Sequence, residues 1–350
     1  MLLSRRAASV SALALATALT VAACSSTSGS SAAKGGSSPA QDVTLVLYNA
    51  QHEDLTEAGI NGFTAATGIK VELRNGDDSE LGNQLVAEGD ASPADVFVTE
   101  NSPSMTLVDT AGLFSPLNQA TRDQVPAQYQ PSNGSWIGWA ARATVLPYNT
   151  KTTSTKALPT SVLDLAKPEW KNRFGISPGG ADFQAIVSAV LQLKGADATA
   201  AWLAGLKDNA RIFQGNSAVM KGINAGEIET GIIYHYYWHK DRAAGAPNSA
   251  NVELKYLGNQ DPGAFVSVSG AGVLKSSQHQ AEAQQLVAYL TSAAGQRATA
   301  ASTALEYTVV DGVAANPALT PLADLGAPAV DITALNGPQV VKMMQSAGLI

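Results

Sequence analysis

Residues 234–239, Tyr-His-Tyr-Tyr-Trp-His, hold three of the nine tyrosines and two of the four histidines in the chain. Packing that many phenols and imidazoles together creates hydrogen-bonding demands that an ordinary apolar core rarely meets. Phenolate and imidazole are also metal ligands, and a bound cation lets a tyrosine ionise far below its free pKa of about 10. His235 and His239 stand four apart, the spacing of paired ligands on one helix face. The zinc-hydrolase pattern, however, needs glutamate directly after the first histidine, and Tyr236 stands there. A strand that merely lines a surface with aromatics remains open at this point. In such a strand Tyr236 and Tyr237 would face opposite sides, unless a turn follows and brings both hydroxyls together.

The elements that would carry these residues alternate. Residues 43–48 read as a strand, and a helix follows His52 to Thr67, stopped by Gly68. Residues 69–73 are a second strand. Asp78 and Ser79 cap a helix to about Glu88, and residues 94–99 form a third strand that ends at Glu100. Residues 174–177 are another strand, followed by a turn at 178–181. Asp182 then precedes a helix over 183–194, and residues 229–235 form the strand before the tyrosine pair. This alternation predicts an open, mostly parallel α/β sheet. In such sheets ligands bind beyond the carboxyl ends of the strands. His52, Glu100, Asp182, Tyr236 and Tyr237 all fall at such ends, and they come from both halves of the chain.

The ends and composition bound the reading. Arg5 and Arg6, an apolar run over 7–20 and small residues before Cys24 form a secretion signal over 1–23. Cys24 is the only cysteine and is expected to be the lipidated first residue of the mature chain. Residues 24–42 are a Ser/Gly/Ala/Pro-rich tether. Removing the signal leaves 20 basic against 29 acidic residues, a net charge of −9. With no basic stripe, nucleic acid and anionic lipid are excluded as partners. The membrane contact expected is lipid on Cys24 alone, on an extracytoplasmic protein at the periplasm or cell surface.

Together the motifs Tyr48-Asn49-Ala50-Gln51-His52, Ser92-Pro93-Ala94-Asp95-Val96-Phe97 with Glu100, and Tyr236-Tyr237-Trp238-His239 resemble those of a known family. Asp261-Pro262-Gly263-Ala264 and Ser269-Gly270-Ala271 are similar too. The family is that of ferric-ion-binding solute-binding proteins of ABC importers, and the resemblance runs from about Leu47 to the C-terminus. It implies His52, Glu100, Tyr236 and Tyr237 as protein ligands of Fe³⁺. It implies two α/β-sandwich lobes joined by a two-strand hinge, the periplasmic-binding-protein fold. The first lobe is expected over 43–143 and 267–318, the second over 144–266 and 319–350, with the hinge near Thr144 and Val266. An ABC permease is the implied partner of a monomeric binding protein. Two phenolates and a carboxylate balance the ion's three charges.

Further positions are expected to serve as an additional ligand or anion site: Asp182, Tyr234, Arg142 and Asn216. Arg142 either holds an anion or makes a hinge salt bridge, and Tyr234 and His235 either reach the site or form its wall. Asp182 either caps its helix or faces the ion. Gly180-Ala181-Asp182 and Tyr234 depart from the family branch that binds phosphate with iron, so phosphate is not expected to be needed. The alternative is a receptor for a chelated ion or a small organic anion such as citrate. An enzyme is not expected: there is no cysteine nucleophile, no Gly-x-Ser-x-Gly and no HExxH.

Overall fold

The computed structural model describes residues 43–350, so the signal, Cys24 and the whole tether lie outside the described residues. Strand β1 (Thr44–Ala50) leads into α1 (Glu53–Thr67), β2 (Lys70–Asn75) into α2 (Asp78–Glu88), and β3 (Val96–Thr99) into α3 (Ser102–Thr110). β1 pairs in parallel with both β2 and β3. Gly68 ends α1 as the sequence predicts, at φ 78°, where its N–H closes on the Thr64 carbonyl.

A short β4 (Phe114–Ser115) and the one-turn α4 (Gln119–Arg122) precede β5 (Trp136–Asn149). Then come β6 (Phe174–Ile176), α5 (Ala181–Lys194), α6 (Ala196–Asn209), β7 (Arg211–Ile212) and α7 (Asn216–Asn224). β8 (Thr230–Gly231) and β9 (Ile233–Tyr234) open directly into α8 (His235–Ala243). β10 (Val252–Lys255), β11 (Val266–Leu274), α9 (Gln280–Thr291), α10 (Ala293–Ala301) and α11 (Gly337–Ser346) complete the order.

One sheet path runs β2-β1-β3-β11-β5-β8-β6-β7. Its continuity comes from β5, a strand of 14 residues that changes partners along its length. Residues 136–143 pair with β11, while Thr144, Val145 and Tyr148 pair with β9 and β8, and 146–149 with β10. The chain therefore crosses from one packing layer to the other near Thr144 and returns near Val266, where Thr144 N–H donates to the Phe265 carbonyl at 2.9 Å.

Separate cores lie on either side of this crossing. Leu45, Leu47, Phe63, Val98, Trp139 and Leu286 share one; Phe174, Ile186, Trp202, Leu203 and Tyr236 share another. Burying each large apolar side chain contributes roughly 1.5–3 kcal/mol, enough for each layer to hold its own shape while the crossing strands link them. Leu319 and Leu325 pack in the first core and Leu335, Val340 and Met344 in the second. The last passage between these cores lies beyond Leu325.

Two local expectations change. The strand expected over 229–235 is interrupted at Ile232, with β8 bonded to both β5 and β6 and β9 to β5 alone, and it gives way to helix at His235. The aspartates expected to cap helices do not. Asp77 and Gly180 occupy the N-cap positions of α2 and α5, and neither makes a side-chain cap bond. Asp78 and Asp182 sit inside the first turns, buried, with their carboxylates turned to other partners.

Candidate metal centre

The helical start of α8 is what brings the tyrosine pair to one point. Neighbours in a strand face opposite ways, but neighbours in a helix diverge by about 100°. Tyr236 and Tyr237 have ring centroids 4.3 Å apart, and each hydroxyl donates to the same oxygen, Asp182 Oδ2, at 3.1 Å. Asn216, at the first residue of α7, donates to that oxygen as well, at 2.9 Å. Asp182 Oδ1 accepts from Asn101 Nδ2 at 3.1 Å and lies 3.8 Å from Arg142 Nη1. Of the two roles open to Asp182, the structure excludes capping.

Opposite these groups stand His52 and Glu100. His52 forms the N-cap of α1 through its backbone carbonyl, which accepts from Leu55 and Thr56 at 3.1 Å each. Its imidazole is left for the cleft. Nε2 meets Glu100 Oε1 at 3.0 Å and Nδ1 lies 3.5 Å from Glu306 Oε1. The ring also packs edge-on against Tyr236 at 4.9 Å. Glu100 does not cap α3, whose N-cap is Asn101. Its own N–H donates to Asp78 Oδ1 at 2.9 Å, an anchor that fixes the end of β3. The four residues expected from the sequence are thus drawn together, two from each half of the chain: His52, Glu100 and Tyr237 line a cleft of about 620 Å³, and Tyr236 lies buried beside them.

Arg142 is fully buried at the centre. Nη2 donates to both Glu306 oxygens at 2.8 Å and to Ser269 Oγ at 3.0 Å, and Nη1 lies 3.2 Å from Glu100 Oε2. Burial disfavours its charge, but Glu306 and Glu100 outweigh that cost and hold its pKa well above the usual value. The salt-bridge role foreseen for Arg142 is therefore realised, with a carboxylate the sequence reading did not pick out. Tyr234 is a wall residue: its hydroxyl donates to Asn101 Oδ1 at 3.3 Å. His235 is wall too, stacked on Tyr307 at 4.6 Å and accepting the Ala143 N–H on Nδ1.

Three residues of this network had escaped notice. Asn101 is masked by its neighbour Glu100. Asp78 looked like a cap. Glu306 lay in residues 304–310, Ala-Leu-Glu-Tyr-Thr-Val-Val, where one acid in an otherwise mostly apolar run is itself a signal of a buried partner.

The electrostatics favour an incoming cation. Glu100, Asp182 and Glu306 face a single guanidinium, an uneven balance in a buried place. The excess shows in the titration of the site. Burial, then the charge of Asp182, push Glu100 well above the carboxylate range. Burial pushes Asp78 up to about 7. Burial, then the charges of Asp182 and Glu100, push Tyr236 and Tyr237 far above a free phenol. A multivalent cation would relieve every one of these shifts. Among the described residues, no three of His, Cys, Asp and Glu are placed to hold a metal by themselves, so an ion here needs tyrosine oxygen.

Residues 91–332 match the family model described as bacterial extracellular solute-binding protein. The chain is 57% identical over 316 residues to the Fe(3+)-binding periplasmic protein of Serratia marcescens, covering 90% of this chain and 94% of that one. It is 37% identical over 308 residues to the major ferric iron-binding protein of Neisseria meningitidis serogroup B, covering 87% and 93%. Among solved structures, iron-bound HitA from Pseudomonas aeruginosa superposes with a TM-score of 0.82 at 41% identity, over 87% of this chain and 99% of that one. The Trichodesmium FutA complex with iron and citrate gives 0.77 at 27% identity, with the same coverage. The α/β sheet with its two cores has the two-lobed periplasmic-binding-protein fold of these structures. This chain belongs to the family of bacterial extracellular solute-binding proteins.

Proposed function

We infer that the protein captures Fe³⁺ as cargo in the cleft between its lobes, outside the cytoplasmic membrane, and delivers it to the permease of an ABC importer. The observation that carries this reading is the convergence of Tyr236 and Tyr237 on Asp182, facing His52 and Glu100. Hard trivalent iron prefers anionic oxygen, and this set offers two phenols, two carboxylates and one imidazole. His52, Glu100, Tyr236, Tyr237 and Asp182 are the ligands in this reading, with Arg142 and Asn216 as their supports. The curated relatives named above, described as ferric-iron-binding, support it.

The lobes close by bending where β5 and β11 cross, near Thr144 and Val266. No catalytic step is assigned to the site. Purified protein exposed to ferric nitrilotriacetate is expected to become coloured, through phenolate-to-iron charge transfer, and to retain one iron per chain. Colourless protein without iron would refute the reading. The second reading, capture of a chelated ion, draws on the Trichodesmium complex and on a cleft larger than a bare ion needs. Iron retained only when citrate is supplied would favour it.

The reading also includes a lipid anchor on Cys24. Stable anchoring takes more than one acyl chain, which a lipidated amino-terminal cysteine carries. Full-length protein is expected to sediment with membranes and the Cys24→Ala variant to be released. Equal retention of the two would exclude the anchor.

A further inference from the structure

Glu306 is wholly buried, and nothing in the ligand set requires it. The chain nevertheless goes to some length to put it there. Tyr307 exchanges backbone hydrogen bonds with Ala141 of β5, at 2.9 and 3.0 Å, which lays residues 304–310 beside Arg142. Leu305, just before Glu306, takes φ 56°, a left-handed conformation that a branched side chain rarely adopts. Gln296 braces the same segment, accepting the Val309 N–H at 2.9 Å while it donates to the Trp139 carbonyl. Backbone strain of this kind collects where a side chain must be aimed.

The aim is towards two groups. Both carboxylate oxygens take Arg142 Nη2 at 2.8 Å, and Oε1 also lies 3.5 Å from His52 Nδ1, at the outer edge of a hydrogen bond. Gln51, the residue before His52, reaches the same carboxylate from the other side, at 3.5 Å, and donates to Ser269 at 2.7 Å. The other imidazole nitrogen, Nε2, points to Glu100, into the metal centre.

We propose that Glu306 is a positioning residue for cation capture: it accepts Nδ1–H of His52, so that the Nε2 lone pair is presented to the ion. At the same time it neutralises Arg142, so that a guanidinium can stay beside a trivalent cation. A carboxylate behind a metal-binding histidine fixes ring orientation and tautomer and raises ligand basicity. This inference rests on the ferric reading above.

The test is a double-mutant cycle read by titration with ferric nitrilotriacetate. Glu306→Gln is expected to lower affinity roughly 10- to 100-fold. The part of that loss carried through His52 should vanish when His52→Ala is already present, and the part carried by the charge of Arg142 should remain. An equal loss in both backgrounds, or no loss in either, would overturn the proposal. A second readout starts from the wild type. With Ga³⁺, a diamagnetic ion of the same charge, the wild-type His52 Nδ1–H should give a downfield NMR signal that exchanges slowly with water. Glu306→Asp, which keeps the charge but withdraws it by one methylene, should speed that exchange. A wild-type Nδ1–H that exchanges as fast as an exposed imidazole would also overturn it. A wild type that binds neither ion overturns this proposal and the ferric reading together. Binding without coupling to His52 overturns this proposal alone.

Discussion

Tyr236→Phe and Tyr237→Phe are each expected to lower ferric affinity by about 10²- to 10³-fold and to weaken or shift the visible charge-transfer band. The size follows from what is removed. A phenol becomes an anionic ligand only in the loaded state, so its loss takes away both a bond and a charge next to a buried cation. Deleting one partner of a buried charge pair costs about 3–5 kcal/mol, and each 1.4 kcal/mol is tenfold in affinity. The ion-free protein should suffer far less. There each hydroxyl only donates to Asp182 Oδ2, which keeps Asn216 and the other tyrosine as donors. Urea unfolding of the ion-free variants should therefore move by only about 1 kcal/mol. Tyr→Phe variants that keep both band and affinity would contradict the ligand assignment, and ones that fail to fold would contradict the assigned division between loaded and free states.

Asp182→Asn is expected to have the next largest effect, a loss on the order of 10²-fold in ferric affinity. Two consequences of the carboxylate oppose each other. Its charge raises the pKa of both phenols, which makes them harder to deprotonate, so removing it eases that step. But it is also the one group that both phenols, Asn216, Asn101 and Arg142 already surround, and an ion entering between the phenols meets Oδ2 directly. Loss of a direct anionic ligand outweighs relief of a repulsion spread over several ångströms. A carboxylate in that turn also occupies the place an anion would take. Wild-type binding should accordingly be the same with and without phosphate, while Asp182→Asn should gain from added phosphate. Wild-type binding that collapses in phosphate-free buffer, or an Asn variant as tight as wild type, would contradict this role.

Much of the site was legible because its residues fall at strand ends, where a parallel sheet exposes side chains to the cleft. His52 and Glu100 follow β1 and β3 directly, and periodicity locates those strands. What was misread was decided by tertiary partners. Residues 230–234 have the composition of one strand, yet only Thr230 and Gly231 also pair with β6, the strand breaks at Ile232, and the chain turns into helix at His235. Asp78 and Asp182 carry the local signature of caps, but each finds better acceptor geometry elsewhere. Asp78 accepts the N–H groups of Glu100 and Asn101, and Asp182 the two phenols. The apolar neighbours of Glu306 signal its burial, but its partner was out of reach for a different reason. It lies 164 residues from Arg142 in the chain, and only the pairing of Tyr307 with Ala141 brings them together. No local pattern encodes a contact of that range.

The central claim is that the ion is held by two ionised phenols that are protonated when it is absent. Burial and the charges of Asp182 and Glu100 raise both phenol pKa values in the free protein, so each must give up its proton as the ion enters. Because binding then releases protons, affinity must rise with pH and fall as the solution is acidified. The most direct measurement is titration of the metal-free protein with ferric nitrilotriacetate between about pH 6 and 8, corrected for the competitor's own protonation, with the charge-transfer band as the signal. One ion per chain is expected, with release of at least about two protons per ion and a rise in affinity of at least about a hundredfold per pH unit. Binding without the band, or with an affinity independent of pH, would contradict it.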